Sequence, residues 1–368
     1  MKNASVFLPA FGNRPKHIIG RKGITTAFTD GLSLPIGHHQ RATMLVGQRG
    51  SGKTALLLEF AEIAETRDFI TARVTAGSDM LTEILQTIQI NGAGFVSDSK
   101  AKGKVRGVSA GALGFSFGLT FTDETEKKYG FRIKLGMLCD ELDKHGKGIL
   151  ILIDEVQTNT PEMRSVATTY QHLVGENKNI AIVMAGLPSS MSAVLHDDVL
   201  TFLNRAHKVY LEPLPLNEIS VYYATAFKKQ GMSISPEVLE DATAATRGYP
   251  YLFQLIGYYI IAFASGDQII TKEIVSKAIN SSKREMVDSV FVPALKPLSA
   301  GDLNFLRAMA CDPGDSLIKD ITTRMDVSAA YAQRYRIRLI EAGIIAPKRR
   351  GELSFTLPFF GEYIRGEF

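Results

Sequence analysis

Gly47-Gln48-Arg49-Gly50-Ser51-Gly52-Lys53-Thr54 meets the pattern G-x-x-x-x-G-K-[ST] at every fixed position. The residues before it, Ala42 to Val46, are apolar and read as a buried strand. A strand that turns through such a loop and restarts as a helix aims backbone N–H groups and the helix's positive end at phosphate oxygens. Lys53 is placed to neutralise β and γ phosphates. Thr54 offers a hydroxyl to Mg2+, which keeps most of its waters and takes few protein ligands. The eight residues Gly47, Gln48, Arg49, Gly50, Ser51, Gly52, Lys53 and Thr54 therefore predict an ATP/ADP site.

A second half of that site is expected a hundred residues on, where Gly148-Ile149-Leu150-Ile151-Leu152-Ile153 runs into Asp154-Glu155. The aliphatic run reads as a buried parallel strand that ends in carboxylates. Asp154 can hold the magnesium through water, and Glu155 can orient and deprotonate the water that attacks the γ phosphate.

Strand-like runs recur at Thr43 to Val46, Phe69 to Val74, Ile149 to Ile153, Ile180 to Ala185 and Lys208 to Leu211, alternating with helical patterns. That alternation predicts an α/β fold with a doubly wound parallel sheet. Asn91 to Thr125 interrupts it with glycine, serine, Lys100, Lys102, Lys104, Arg106 and then alternating Phe115, Phe117, Leu119 and Phe121. An inserted hairpin or mobile loop is expected there.

Beyond Leu211, Pro213 and Pro215 punctuate the chain and the pattern becomes helical only. Asn217-Glu218 is expected to cap one helix and Ser235-Pro236-Glu237 to open another. Tyr251 to Ala264 reads as an apolar helix, and Thr271-Lys272-Glu273 starts one more. Phe291 to Pro297 reads as a linker. Three helical patterns follow, at Gly301 to Ala310, Ser316 to Met325 and Ser328 to Ala342, and then a hairpin over Ile344 to Leu357.

In the third of those helices Ala332, Leu339 and Ile340 make an inward stripe, which leaves Gln333, Arg334, Arg336 and Arg338 largely outside it. Lys348, Arg349 and Arg350 sit at the hairpin tip. From Gln333 to Arg350 there are six basic residues against the single Glu341. This is the layout of a winged helix-turn-helix, whose recognition helix enters a major groove while its basic wing meets phosphates. Double-stranded DNA is the expected partner; a pairing of Arg338 with Glu341, or docking on protein, is the plainer reading.

The whole chain sets bounds on these readings. Its 368 residues, 45% of them hydrophobic, predict two or three domains. A formal net charge of only +4 means that a nucleic-acid surface must come from local clustering. Cys139 and Cys311 lie far apart with no metal-type spacing, which suits a reducing compartment and no cysteine chemistry. The first residues, Met1 to Pro9, do not read as a signal peptide, and no apolar run reaches membrane-spanning length. A cytoplasmic protein without a membrane partner is expected.

Together these features resemble the AAA+ ATPases of the origin-recognition and STAND-like type found in prokaryotes, over nearly the whole chain. The phosphate loop corresponds to Walker A and Asp154-Glu155 to Walker B. Ile18-Ile19-Gly20-Arg21 looks like the family's h-h-G-R element under the adenine, and Gly248-Tyr249-Pro250 like its G-x-P lid motif, so Ile19, Gly20, Arg21 and Pro250 are implied nucleotide contacts. The resemblance implies a P-loop core over 1–212, an all-α lid over 213–292 and a winged helix over 293–368. It further implies that Phe202-Leu203-Asn204-Arg205 carries an arginine finger. Arg205 would then reach a neighbour's γ phosphate in a homo-oligomer.

Two departures stand out. Met184-Ala185-Gly186-Leu187-Pro188-Ser189 lacks the usual polar sensor at the strand tip, with Ser189 or Ser190 as substitutes. Arg247 falls one residue before the G-x-P glycine, where it could still face the nucleotide. The expected function is that of a slow ATP-dependent switch that binds DNA. The alternatives are a signalling NTPase whose winged helix docks on protein and a protein-remodelling ATPase.

Overall fold

The strands foreseen from aliphatic periodicity are β1 (Ala42–Val46), β2 (Phe69–Thr75), β3 (Gly148–Val156), β4 (Ile180–Gly186) and β5 (His207–Tyr210). They form one parallel sheet in the order β2-β3-β4-β1-β5. The computed structural model describes residues 6–9, 17–96, 130–156, 160–264 and 268–368. Two compact units make up the chain, one comprising Arg21–Gly47 and Leu56–Tyr210, the second Met1–Gly20, Gln48–Ala55 and Leu211–Phe368.

In the first unit, alternate strand residues line one face of the sheet, including Met44, Val46, Ala72, Ile151, Ile153, Ile182 and Met184, all buried. Helices cover that face with stripes at helical spacing. They are Met80, Ile84 and Ile88 of Met80–Val96; Leu135, Leu138 and Leu142 of Phe131–Asp143; and Met163, Val166, Tyr170 and Leu173 of Pro161–Gly175. A period of two meeting a period near 3.6 is what encloses the core. The chain leaves β1 for the distant β2 and returns through β4, so the strand order switches beside β1, where parallel sheets place ligands. Val46 pairs with Gly186, and Gly186 with Val156, which sets the carboxyl ends of β1, β4 and β3 side by side.

The expected insertion starts later than Asn91, because the helix Met80–Val96 continues through it. Lys100, Lys102, Lys104, Arg106 and the alternating aromatics lie outside the described residues.

The second unit contains the helices Leu216–Lys229, Pro236–Ala245, Pro250–Phe263 and Lys272–Met286. Ser235 and Thr271 cap their helices as expected, accepting from Val238 and Ile274 N–H. Asn217 does not cap: Pro215 precedes the first turn, and Asn217 is inside the helix. Nor is the region purely helical, since the short strands β6 (Ser233–Ile234) and β7 (Ile269–Ile270) pair in parallel. Phe7 is fully buried among Tyr222, Tyr223, Phe227 and Phe253, at ring distances of 5.5–6.0 Å. A burial of that size contributes about 2–3 kcal/mol.

The expected linker at Phe291 to Pro297 is helical over Val287–Leu295, with Phe291 fully buried. It belongs to an apolar cluster that joins Tyr249, Leu252 and Leu255 to Met286, Phe305, Leu339 and Phe360. After it come the helices Ala300–Ala310, Ile318–Met325 and Ala329–Glu341, and the hairpin of β9 (Ile345–Arg349) and β10 (Glu352–Phe355). Ser316–Leu317, read as the start of a helix, is instead a third strand, β8, paired with β10.

Candidate nucleotide site and basic surface

From Gln48 onward the glycine loop belongs to the second unit. Gly50 and Gly52 adopt φ +68° and +91°, the left-handed region that glycine enters without a steric penalty. A Cβ on Gly50 would lie 2.2 Å from the Tyr249 hydroxyl. That hydroxyl donates to the Arg49 carbonyl at 2.5 Å, and Lys53 Nζ donates to the Gln48 carbonyl at 2.8 Å. Burial pushes the Tyr249 phenol well above its ordinary value, so it stays a donor. Two atoms of the loop, Ser51 Oγ and Gln48 Oε1, are buried with no hydrogen-bond partner among the described residues. Each such orphan costs about 1–3 kcal/mol, a penalty that a bound polar ligand would relieve. The loop therefore fits a phosphate chain: it carries a cation and a hydroxyl, its left-handed glycines bring backbone close, and buried polar atoms wait for partners.

At the sheet edge in the first unit, β3 does not stop before the carboxylates but continues through them to Val156. The pairing with β4 shifts between Ile153 and Val156, and Glu155 takes φ +54° in the bulge. Asp154 is buried and accepts from the Glu155 N–H at 2.9 Å, while Glu155 is exposed. Bulges re-aim side chains, and a non-glycine residue at positive φ marks strain that surrounding structure maintains. Here the strain turns Glu155 outward next to a fixed aspartate.

The neighbouring tip is closed. A Cβ on Gly186 would meet the Val156 carbonyl at 2.7 Å and Met191 Cε at 2.8 Å, so no larger residue fits there. The Gly186 carbonyl accepts from the Gly47 N–H at 3.2 Å, a bond within the first unit. Ser189 and Ser190 lie beyond the tip, in the first turn of the helix Pro188–Leu195. Ser190 is buried, and Ser189 is half-buried.

Of the other predicted residues, Ile19 and Gly20 belong with the second unit: Ile19 packs on the cluster of Phe7 and Tyr223, and the Gly20 N–H donates to Glu218 at 2.8 Å. Arg21 is buried at the start of the helix Lys22–Ser33. Pro250 opens its helix and lies near Gly52, 3.9 Å from an ideal Cβ there. Arg205 is exposed in the turn before β5. Because β5 runs parallel to β1, that turn is at the amino end of the sheet, opposite Asp154 and Glu155.

The predicted basic residues divide into two groups. Arg338 is a strut: its guanidinium lies 2.6 Å from the fully buried Asp302, which also accepts from Ser299 N–H and Oγ at the head of the helix Ala300–Ala310. The plainer expectation of an Arg338–Glu341 pair missed this long-range partner. Lys348 pairs with Asp315, and Arg349 lies 3.9 Å from Glu352. Arg336 donates to Gln333 at 3.3 Å. Arg334 stacks over the Tyr331 ring at 5.6 Å, and both are exposed. Arg350 is exposed at the hairpin turn. Ala332 and Leu339 form the buried stripe as expected, whereas Ile340 is half-buried.

Residues 36–195 match the AAA domain family, and residues 288–364 match a Domain of unknown function (DUF8462). No curated protein matches the sequence. Among solved structures, the Walker-type ATPase PABY2304 of Pyrococcus abyssi superposes with a TM-score of 0.68 at 15% identity, covering 96% of this chain and 97% of its own. The Aeropyrum pernix ORC2 protein, in ADPNP-ADP complexes, gives 0.65 at 15% identity over 97% and 96%. Cdc6p from Pyrobaculum aerophilum gives 0.50 at 16% identity over 99% and 100%. This chain has the fold of a prokaryotic AAA+ ATPase of the origin-recognition type.

Within that AAA+ fold, several contributors do not announce themselves in the sequence. Tyr249 stands there only as the variable residue of a motif, although it is the one that touches the phosphate loop. Asp302 is unmarked except as a third-position acid after Ser299, a capping-box pattern that the sequence does contain. Arg247, which the sequence left either to face nucleotide or to serve as a structural surface arginine, pairs with Glu362 at 2.5 Å and lies 4.0 Å from the Phe359 ring. Cys139 is buried and its thiol is pushed up to about 12 by burial, whereas Cys311 is exposed. Among the described residues no helix is long and apolar enough to cross a membrane, and no group of His, Cys, Asp and Glu could hold a metal unaided.

Proposed function

We propose that this AAA+ protein binds and slowly hydrolyses ATP and uses the nucleotide to switch DNA binding by its C-terminal module. The observation that carries the reading is the phosphate loop, with its left-handed glycines and its buried Ser51 Oγ and Gln48 Oε1, which have no hydrogen-bond partner among the described residues. That Aeropyrum pernix ORC2 was solved with ADPNP and ADP supports nucleotide as the occupant.

Lys53 is assigned to the β and γ phosphates. Thr54 and Asp154 are the residues to hold magnesium, which when bound would screen the phosphate charge. Glu155 takes the proton of the attacking water, a task that suits an exposed carboxylate held by a strained bulge. Without a polar side chain on Gly186, no sensor at the tip of β4 reads the γ phosphate, which favours slow turnover. Arg205, at the opposite end of the sheet, is assigned to a neighbouring protomer's nucleotide.

Residues 293–368 are read as a winged helix. Tyr331 and Arg334, near the amino end of Ala329–Glu341, are assigned to base contacts, and Lys348, Arg349 and Arg350 to the phosphate-facing wing. Ordinary surface pairing of these cations is the competing reading, and salt dependence separates the two.

The test is equilibrium binding to a labelled duplex across salt concentrations, with no nucleotide, ADP or a non-hydrolysable ATP analogue. Binding that changes with nucleotide and weakens with salt supports the switch. Nucleotide binding with no duplex binding in any state would make the module a protein-docking element instead.

A further inference from the structure

One short turn in the second unit touches the phosphate loop at one end and the C-terminal module at the other. Tyr249 reaches the Arg49 carbonyl and covers Gly50. Two residues earlier, Arg247 pairs with Glu362 and lies over Phe359, whose other cation is Lys283 at 4.6 Å. Between them Gly248, at φ +71°, is pinned: its carbonyl accepts from the Leu214 N–H at 2.7 Å, and a Cβ would lie 2.7 Å from the Leu214 carbonyl.

Two further features show that this turn is held against a cost. Arg247 and Phe359, which face each other, both adopt positive φ, +49° and +64°, a conformation few non-glycine residues take without support. Tyr249, Leu252 and Leu255 share one apolar cluster with Phe305, Leu339 and Phe360, so the turn and the module cannot shift independently without opening that core.

We propose that Arg247-Gly248-Tyr249-Pro250 is a strut that carries the state of the phosphate loop to the C-terminal module, with Tyr249 and Arg247 as its two positioning residues. The proposal deepens the nucleotide reading and rests on it for its physiological input. A nucleotide that rearranges the carbonyl of Arg49 changes what Tyr249 can bond, and the rigid turn transmits the change to Glu362 and Phe359.

The test uses the full chain and the variants Glu362→Gln, which is isosteric, and Arg247→Gln, each alone and combined with Tyr249→Phe. Two quantities are read: amide hydrogen exchange of residues 48–54 without nucleotide, and the dissociation constant of a fluorescent ADP. Either far-end variant should speed loop exchange and shift ADP affinity by about fivefold, and both effects should vanish in the Tyr249→Phe background. Unchanged loop exchange in both folded variants, or equal effects with and without the Tyr249 hydroxyl, overturns the strut. Coupled exchange in a protein that binds no ADP leaves the strut standing and removes the nucleotide reading.

Discussion

The phosphate loop and the basic helix-hairpin surface differ in how their polar groups are provided for. In the loop, Ser51 Oγ and Gln48 Oε1 are buried without partners among the described residues. On the C-terminal surface, Arg338, Lys348 and Arg349 are largely exposed and already face Asp302, Asp315 and Glu352, although Asp302 Oδ1 is itself buried without a partner among the described residues. An unpartnered buried group is a standing free-energy cost that a ligand removes, whereas a partnered surface cation must be won from its own carboxylate. The first region therefore calls for an occupant, and the second does so only to the extent that its cations can be freed.

The sharpest break of that contrast is Lys53→Ala, which should weaken ATP-analogue binding about a hundredfold or more in a fluorescence titration. Retained affinity would mean that the loop's geometry is not a phosphate site. Glu155→Gln should come next, leaving that affinity in place while lowering the steady-state ATPase rate by about 10²–10⁴. Normal turnover in this variant would remove Glu155 as the base and leave the bulge without a chemical purpose.

For the basic surface, Lys348, Arg349 and Arg350 replaced together by alanine should flatten the salt dependence of duplex binding by about 0.9 for each phosphate no longer neutralised. An unchanged slope transfers the hairpin to protein docking. Arg338→Ala should behave oppositely, lowering stability by about 1–2 kcal/mol in denaturant unfolding, because Asp302 stays buried without its guanidinium, while the salt slope stays put. A changed slope with full stability would return Arg338 to the DNA-facing set.

The smallest effect concerns pH. Burial by itself would raise the Glu362 carboxyl, but the hydrogen bond and charge of Arg247 outweigh it and hold the group below its ordinary 4.5. A depressed carboxylate adds stability that is fully present above that ordinary value and fades as pH falls through the lower folded one. Wild type should thus lose part of its stability below about pH 4.5 that Glu362→Gln never had, and parallel stability curves for the two would refute the pairing.

Much of the candidate site was legible because the chemistry it would perform is local. Phosphate binding by consecutive N–H groups needs glycines, a lysine and a hydroxyl at fixed offsets, and a buried strand ending in carboxylates advertises itself through aliphatics. The bulge at Glu155 was not legible, since it depends on how Ile153 and Val156 register against β4. Gly186 showed as a missing sensor, but its reason, the Val156 carbonyl that a Cβ there would meet at 2.7 Å, lies on a neighbouring strand. The helix boundaries near Pro215 and Phe291 went astray for the same kind of reason: burial of Phe291 in a long-range cluster overrides the local signal of nearby proline.

The sequence by itself determined the parallel α/β sheet, the phosphate loop, the Asp154-Glu155 pair and the clustering of basic residues after Gln333, because periodicity and short motifs are properties of neighbours along the chain. Only the tertiary structure decided that Tyr249 touches the phosphate loop, that Arg247 grips Glu362 and Phe359, and that Arg338 serves Asp302. Tyr249 and Arg49, Arg247 and Glu362, and Arg338 and Asp302 are separated by 200, 115 and 36 residues, and which groups meet across such distances is set by packing, not by sequence pattern.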